Sequence, residues 1–200
     1  AGGKNDDGGT DTSATGAFQV TLSGLAGGYE LLEDNNLYQS DFILMGSANH
    51  NKETAQALAN KIISVAEIRK DALAFISPYR KAFLNDSVDG TVTVNSDAQI
   101  TDNVVGFYAP VTSSTYAIFD SGYKYTYDRF NNEFRYIPTN GDIAGLMCRT
   151  NVVAYPWFSP AGQQRGIINN AIKLAYNPTH DQNDHLYPNN INAVVKHPGT

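Results

Sequence analysis

The sequence predicts an α/β fold with a mixed sheet, parallel strand-helix-strand crossovers, helices on both faces of the sheet and an aromatic β-hairpin. Short apolar runs at 41–46 and 72–77 enclose a segment with helical periodicity, and strands joined through a helix run parallel. Alternating aromatic residues on both sides of Asn131-Asn132 are typical of a hairpin. The chain has 200 residues, of which 42% are hydrophobic, so it has enough apolar side chains for one core.

The beginning of the chain is predicted to have two parts. Residues 1–17 are rich in Gly, Asp and Thr, which predicts a flexible linker and leaves 18–200 as the sheet-containing core domain. Apolar and polar residues alternate over 18–24, which predicts a half-buried strand. The sequence stops at Thr200 after a strand-to-loop passage, so we expect the core domain to be truncated at its C-terminal end.

The strongest periodicity lies between the two apolar runs. Asn51 is predicted to cap a helix that extends to about residue 70, because Glu53 suits its first turn and basic residues occupy its last turn. The two runs are therefore predicted to be neighbouring buried strands. The helix carries one apolar stripe, formed by Ala55, Leu58, Ala59, Ile62, Val65, Ala66 and the stem of Arg69.

The strand-helix-strand pattern is then repeated. Ser96 and Gln99 have the spacing of a capping box, which predicts a helix start. Residues 115–119 form the third predicted strand. The helix between the capping box and this strand carries apolar side chains at helical intervals, at Ile100, Val104 and Phe107.

The last third of the chain begins with the hairpin. Its strands are predicted at 123–127 and 133–137, with Phe134 and Ile137 facing inward. The remaining predicted elements are a short helix capped by Thr139 or Asn140, an irregular segment at 157–166, an extended segment at 167–176, a helix starting at Asn177-Pro178 and a strand at 191–196.

Charge and hydropathy exclude two classes of partner. The net charge of −6 argues against nucleic acid, which would require a basic stripe. No apolar run is long enough to span a bilayer, so no membrane partner is expected. The single Cys148 excludes an internal disulfide, and its position between Leu146 and Arg149 on a predicted helix favours a small buried hydrophobic residue.

No glycine motif in the chain has the spacing of a nucleotide site. The loop at 46–51 has one glycine and no Lys-Ser/Thr pair, and the glycines at 2–3 and 24–28 lack the required strand or spacing. The sequence therefore predicts no cofactor.

Four residues near the end form the densest group of possible metal ligands: His180, Asp181, Asp184 and His185. On a helix, positions 180 and 184 share one face and positions 181 and 185 share another. Their spacing differs from His-Glu-x-x-His, and no third ligand set accompanies them. A solvated polar face is therefore predicted. Contact of Asp181 and Asp184 with an arginine of a neighbouring subunit is the alternative.

Ser159 lies in a loop with several conformationally special residues. A nucleophile elbow needs glycine two residues before and after the serine, but Trp157 and Ala161 stand there. The sequence instead predicts a rigid loop, in which Pro160 fixes the backbone, Gly162 permits a sharp bend and Trp157 anchors the loop.

Two stretches carry a resemblance to a known family. Residues 137–150 read Ile-Pro-Thr-Asn-Gly-Asp-Ile-Ala-Gly-Leu-Met-Cys-Arg-Thr, and 157–166 read Trp-Phe-Ser-Pro-Ala-Gly-Gln-Gln-Arg-Gly. In this order and at this interval they resemble the tail sheath proteins of contractile-tailed phages, especially the T-even-like group. The resemblance covers roughly 18–197. It marks as candidate structural or inter-subunit residues Asp142, Arg149, Trp157, Ser159, Pro160, Gly162, Arg165, Asp181 and Asp184.

The resemblance implies a structural subunit of the virion tail and no enzyme. Such subunits stack in six-fold rings around the tail tube protein, contact the baseplate, and contract to drive genome delivery after assembly in the host cytoplasm. The C-terminal strands that sheath subunits exchange with neighbours would follow Thr200, so we expect the chain alone to remain monomeric.

Two rival functions remain open at this point. One is a sheath subunit of a bacterial contractile injection device or tailocin. The other is an α/β enzyme, which would require a convergent polar pocket or a metal.

Overall fold

A computed structural model describes residues 21–47, 51–86 and 92–196. The predicted linker at 1–17 and residues 18–20 of the predicted strand at 18–24 lie outside these residues. The helices are α1 (Leu22–Glu30), α2 (Lys52–Arg69), α3 (Asp97–Tyr108), α4 (Asn140–Val153) and α5 (His180–Leu186). The strands are β1 (Phe42–Leu44), β2 (Leu73–Ile76), β3 (Leu84–Asp86), β4 (Val92–Val94), β5 (Ala117–Asp120), β6 (Tyr123–Asp128), β7 (Glu133–Pro138), β8 (Lys173–Leu174) and β9 (Ile191–Asn192).

The main sheet has four parallel strands in the order β1-β2-β5-β9. α2 connects β1 to β2, and α3 precedes β5, which confirms the predicted parallel strands and their helices. The strands β3 and β4, which lie between β2 and α3, were not predicted. The antiparallel pairing occurs in two smaller sheets, β3-β4 and β7-β6-β8. These features confirm the α/β fold class with parallel crossovers and an aromatic hairpin.

α2 forms as its sequence predicts. The Asn51 side chain accepts a hydrogen bond from the Thr54 amide at 2.9 Å, which caps the first turn. Lys70 ends the helix in the left-handed conformation, with φ of 61°. The apolar stripe is buried and joins the main core beside the β1 and β2 side chains of Ile43, Ala74 and Ile76.

The last residue of α2, Arg69, lies inside the protein with only 6% of its surface exposed. Its guanidinium donates to the backbone oxygens of Leu32, Tyr38 and Ser40 at 2.6, 2.9 and 3.3 Å, and to the Asp71 carboxylate at 2.9 Å. It thereby fixes the segment between α1 and β1 against the end of α2. The sequence prediction included only the apolar stem of this side chain.

α3 packs beside α2 and begins with the predicted capping box between Ser96 and Gln99. The predicted apolar side chains of Ile100, Val104 and Phe107 are fully buried. The Gln56 side chain of α2 donates to the backbone oxygen of Phe107 at 2.9 Å, which ties the two helices together. Tyr108 donates to the backbone oxygens of Ile76 and Asp120 at 2.8 and 2.7 Å, which ties α3 to the main sheet.

The aromatic hairpin β6-β7 is confirmed, with Asn132 at φ of 55° in its turn. Tyr125 stacks on Phe134 across the strands, with 5.5 Å between ring centroids. The predicted inward orientation of Phe134 and Ile137 was wrong, because these side chains are 55% and 37% exposed. β7 is an edge strand of its sheet, so much of its surface remains open to solvent.

The predicted strand at 18–24 was wrong over its described part, because α1 begins at Leu22. The Thr21 hydroxyl caps this helix by accepting from the Gly24 amide at 3.1 Å. Long-range contacts hold α1 in place, since Leu22, Leu25 and Tyr29 pack against the main core, and Lys61 of α2 pairs with Glu30 at 2.7 Å. These contacts outweigh the local alternation of apolar and polar residues.

Three further predictions near the end were wrong in their extent. Of the predicted strand at 191–196, only β9 at Ile191–Asn192 is a strand. Within the predicted extended segment at 167–176, only β8 is a strand. The last helix begins at His180 rather than at Asn177-Pro178, because Thr179 and Gln182 form a capping box with bonds of 2.9 and 3.4 Å.

Candidate functional site

The candidate site is built on α4 and the loop that follows it. α4 contacts β1 and β2, and its first residues meet the carboxyl end of the main sheet. The Asn140 side chain donates to the backbone oxygen of Gly46 at 2.9 Å, and the Asn140 amide donates to the Ser77 hydroxyl at 3.2 Å. The sheet therefore fixes the direction of α4. Thr139 precedes the helix but makes no side-chain cap, because its hydroxyl bonds elsewhere.

Asp142 joins α4 to the hairpin. Its carboxylate accepts from Lys124 Nζ of β6 at 2.8 Å, and the same ammonium donates to the backbone oxygen of Asn169 at 3.1 Å. Lys124 is 5% exposed, so solvent screens this ion pair less than a surface pair. A carboxylate in the first turn also complements the helix dipole. Asp142 therefore makes an internal contact that positions α4.

Arg149, near the C-terminal end of α4, holds the following loop. Its guanidinium donates to the backbone oxygen of Arg165 and reaches that of Ile167 at 3.5 Å. Arg165 in turn lies over the ring of Phe158, with 4.4 Å between Cζ and the ring centroid. Its Nε donates to the backbone oxygen of Ser159 at 3.3 Å. The two arginines thus close the loop against the helix.

The turn at 159–166 has the compact backbone that the sequence predicts for Ser159, Pro160 and Gly162. Gly162 has φ of 100°, and its oxygen accepts from the Gly166 amide at 2.7 Å. A Cβ at Gly166 would lie 2.9 Å from that oxygen, so the turn requires glycine there. The Ser159 hydroxyl accepts from the Ala161 amide at 3.3 Å, which gives the hydroxyl a local structural role.

Trp157 does not anchor the loop as predicted, because 79% of its surface is exposed. It stacks on Tyr155 with ring centroids 4.9 Å apart and an interplanar angle of 6°. Arg149 and Arg165 hold the loop instead. We call the exposed side chains of Val152, Val153, Tyr155 and Trp157 the Trp157 ridge.

Cys148 lies on the exposed surface of α4, so its predicted burial was wrong. The helix buries Ala144 and Thr150. Cys148 follows Ala144 by four residues and shares its side of the helix, but one turn later that side is exposed.

Asp181 and Asp184 lie on α5, which packs against α3 rather than forming part of the loop site. Both are exposed, and Asp184 lies 3.4 Å from His180 Nδ1. In the described part of the chain, no three His, Cys, Asp or Glu side chains are placed to hold a metal ion. No helix of this part is long and apolar enough to cross a membrane.

One polar cluster was missed by the sequence analysis. Asp120 is 1% exposed at the carboxyl end of β5 and accepts from Ser77, Gly122 and Thr139. Burial raises the pKa of this carboxyl to about 7. The three hydrogen bonds lower the pKa, but their effect is smaller than that of burial. The available signal was an acidic residue directly after an apolar strand.

Comparison with known proteins identifies the family. A family model described as the phage tail sheath protein central domain matches residues 31–200. The tail sheath protein of Enterobacteria phage T4 is 36% identical over 183 residues, which cover 88% of this chain and 27% of that protein. The tail sheath protein of Vibrio phage KVP40 is 32% identical over 208 residues, which cover 98% of this chain and 29% of that protein.

A third relative, the tail sheath protein of Salmonella phage ViI, is 33% identical over 134 residues, which cover 67% of this chain and 20% of that protein. The chain therefore spans between 20% and 29% of the length of these curated relatives. The matched region contains the two motif stretches that carry the resemblance. The chain belongs to the phage tail sheath protein family.

Proposed function

We propose that this chain is part of a non-enzymatic structural subunit of a contractile phage tail sheath. The subunits stack as six-fold rings around the tail tube, contact the baseplate, and contract to drive genome delivery. They assemble in the host cytoplasm and reside in the tail of the virion. Family membership supports this proposal, and the observation that carries it is an exposed apolar surface between the two motif stretches.

The Trp157 ridge is the proposed contact with a neighbouring subunit. Its four side chains are 85%, 69%, 58% and 79% exposed, in sequence order. Large aromatic side chains with little conformational freedom are typical of the energetic centre of protein interfaces. Arg149 and Arg165 donate to backbone oxygens of the loop that follows the ridge, and order in this loop before contact lowers the entropy lost on association.

The other candidate residues have two proposed roles. Asp142, Arg149, Ser159, Pro160, Gly162 and Arg165 shape the ridge from within. Asp181 and Asp184 present carboxylates that can pair with basic side chains of a neighbour, because both are exposed.

The two edges of the main sheet differ in how open they are to an exchanged strand. At β1, the Tyr29 hydroxyl donates to the backbone oxygen of Leu44 at 2.7 Å, so this oxygen of the edge is already bonded within the chain. At β9, β5 is the only paired strand among the described residues. A strand from a neighbouring subunit would therefore pair with β9.

The ridge is tested by Trp157→Ala in a complete sheath protein that carries this region. We expect fewer or shorter tubes in negative-stain electron microscopy, because the change removes an exposed aromatic contact. Leu37→Ala is the matched control, since Leu37 is 74% exposed but lies outside the motif region, and it should leave tube formation unchanged.

Two results would count against the proposal. Normal tubes with Trp157→Ala would exclude the ridge as an important contact. A complete unmodified protein that stays monomeric under conditions of assembly would remove the sheath function itself.

A further inference from the structure

The buried carboxyl of Asp120 lies where the main sheet meets α4. It accepts from the Ser77 hydroxyl at 2.6 Å, the Gly122 amide at 2.9 Å and the Thr139 hydroxyl at 3.0 Å. All three donors are neutral. A carboxylate held only by neutral donors in the interior is stabilised less than one paired with a cation.

These donors also attach the start of α4. The Thr139 hydroxyl contacts both Asp120 and the backbone oxygen of Gly122, the latter at 3.0 Å. The Ser77 hydroxyl donates to Asp120 and accepts from the Asn140 amide. A change in the charge of Asp120 therefore acts directly on the Thr139–Asn140 step, where β7 ends and α4 begins.

The surrounding elements bring four other ionisable groups towards Asp120. Tyr108 of α3 donates to the Asp120 backbone oxygen, and Tyr123 of β6 donates to that of Pro78. Asp142 of α4 adds negative charge that raises the pKa of Asp120, although its own carboxylate is bonded to Lys124. Burial raises the pKa of the Tyr123 phenol, and the charge of Arg80 acts against this rise.

We propose that Asp120 is a proton-sensitive joint between the main sheet and α4, closed when the carboxyl is protonated and opened more readily when it is ionised. Opening means that Thr139 and Asn140 move away from Asp120 and Ser77, and that water reaches the carboxylate. α4 leads into the Trp157 ridge, so this joint controls how firmly the ridge is held relative to the sheet. The joint depends on the packing around Asp120 and on the charge of its carboxyl, and it does not require the sheath function.

The direction of the effect follows from proton linkage. In the closed state the pKa of Asp120 is about 7 because of burial, and in the hydrated state it approaches the ordinary value of about 3.9. The closed state thus binds the proton more tightly between these values. Opening becomes about tenfold more favourable for each pH unit of increase through that window, and levels off above it.

Amide hydrogen exchange measures this opening in the 200-residue protein. After correction for intrinsic exchange rates, protection of the amides of α4 should fall about tenfold between about pH 6 and pH 8. Amides of the buried strand β2 should change less, because the proposed opening is local. Asp120→Asn has nearly the same size but does not titrate, so it should remove the pH response of α4. Asp184→Asn, at an exposed carboxyl, should retain the wild-type response.

The result that would overturn the joint is an equal pH response of α4 in wild type and Asp120→Asn, or no response in wild type. A second measurement needs no variant. The carbon-13 shift of the Asp120 carboxyl in the wild-type protein should titrate with a midpoint near 7, and a midpoint below about 5 would also overturn the proposal.

Discussion

Replacing Arg69 with methionine removes a buried cation while keeping an apolar stem of similar length. Three backbone oxygens, of Leu32, Tyr38 and Ser40, lose their donor. A hydrogen bond to a charged donor contributes about 1.5–3 kcal/mol, but the 3.3 Å bond to Ser40 is weak and oxygens in a partly exposed segment regain water. We therefore expect the free energy of unfolding to fall by about 3 kcal/mol.

Urea denaturation followed by circular dichroism measures the change, with the slope checked for two-state behaviour. Asp71→Asn is the matched control, since it removes only the ion pair of Arg69. The Asp71 side chain is 48% exposed, so this control should cost less than about 1 kcal/mol. Arg69→Lys keeps the charge but lacks the planar fork, so its stability should lie between those of wild type and Arg69→Met.

The reasoning would be refuted if Arg69→Met unfolded within about 1 kcal/mol of wild type. It would also be refuted if Asp71→Asn cost as much as Arg69→Met. The ion pair, rather than the three backbone contacts, would then account for the stability.

Two further predictions concern α2. Leu58→Ala and Ile62→Ala should each lower the free energy of unfolding by about 2–5 kcal/mol, because both side chains are buried and would leave cavities. Ile68→Ala, at a 56% exposed position of the same helix, should cost far less, and equal costs at all three positions would contradict the assigned helix face. Lys70→Gly should raise the free energy of unfolding by about 0.5–1 kcal/mol, because Lys70 has φ of 61°. A lower urea midpoint for Lys70→Gly would show that the lysine side chain outweighs this backbone preference.

The elements that could be predicted from sequence are those whose signals are local. α2 has a cap, a complete apolar stripe and an apolar strand on each side, and α3 has its capping box. The hairpin β6-β7 has alternating aromatic residues around a turn. In each case neighbouring residues specify both the type of element and its approximate limits.

α1 and α5 show where local signals fail. Glycines at 24, 27 and 28 lower helix propensity in α1, so its stability depends on contacts with α2, which are distant in sequence. At α5, two start signals compete within three residues. The capping box at Thr179 supplies two hydrogen bonds, whereas Asn177-Pro178 offers only a favourable start.

In the candidate site, too, some features could be predicted from local sequence and others depend on contacts that only the fold creates. The compact turn containing Gly162 followed from its residue types. The roles of Arg149 and Arg165 could not be assigned from sequence, because their partners are backbone oxygens that only the folded loop brings near. Asp120 was missed for a similar reason, since its partner Ser77 lies 43 residues away.

The exposed thiol on α4 limits how these chains can be joined covalently. Cys148 is the only cysteine among the 200 residues, so each copy can form one disulfide and no more. Oxidation can therefore link copies of this chain only in pairs, since a longer covalent series would need two thiols per copy. Any larger array of this 200-residue chain must then be held by noncovalent contacts, which can separate and form again while every polypeptide stays intact.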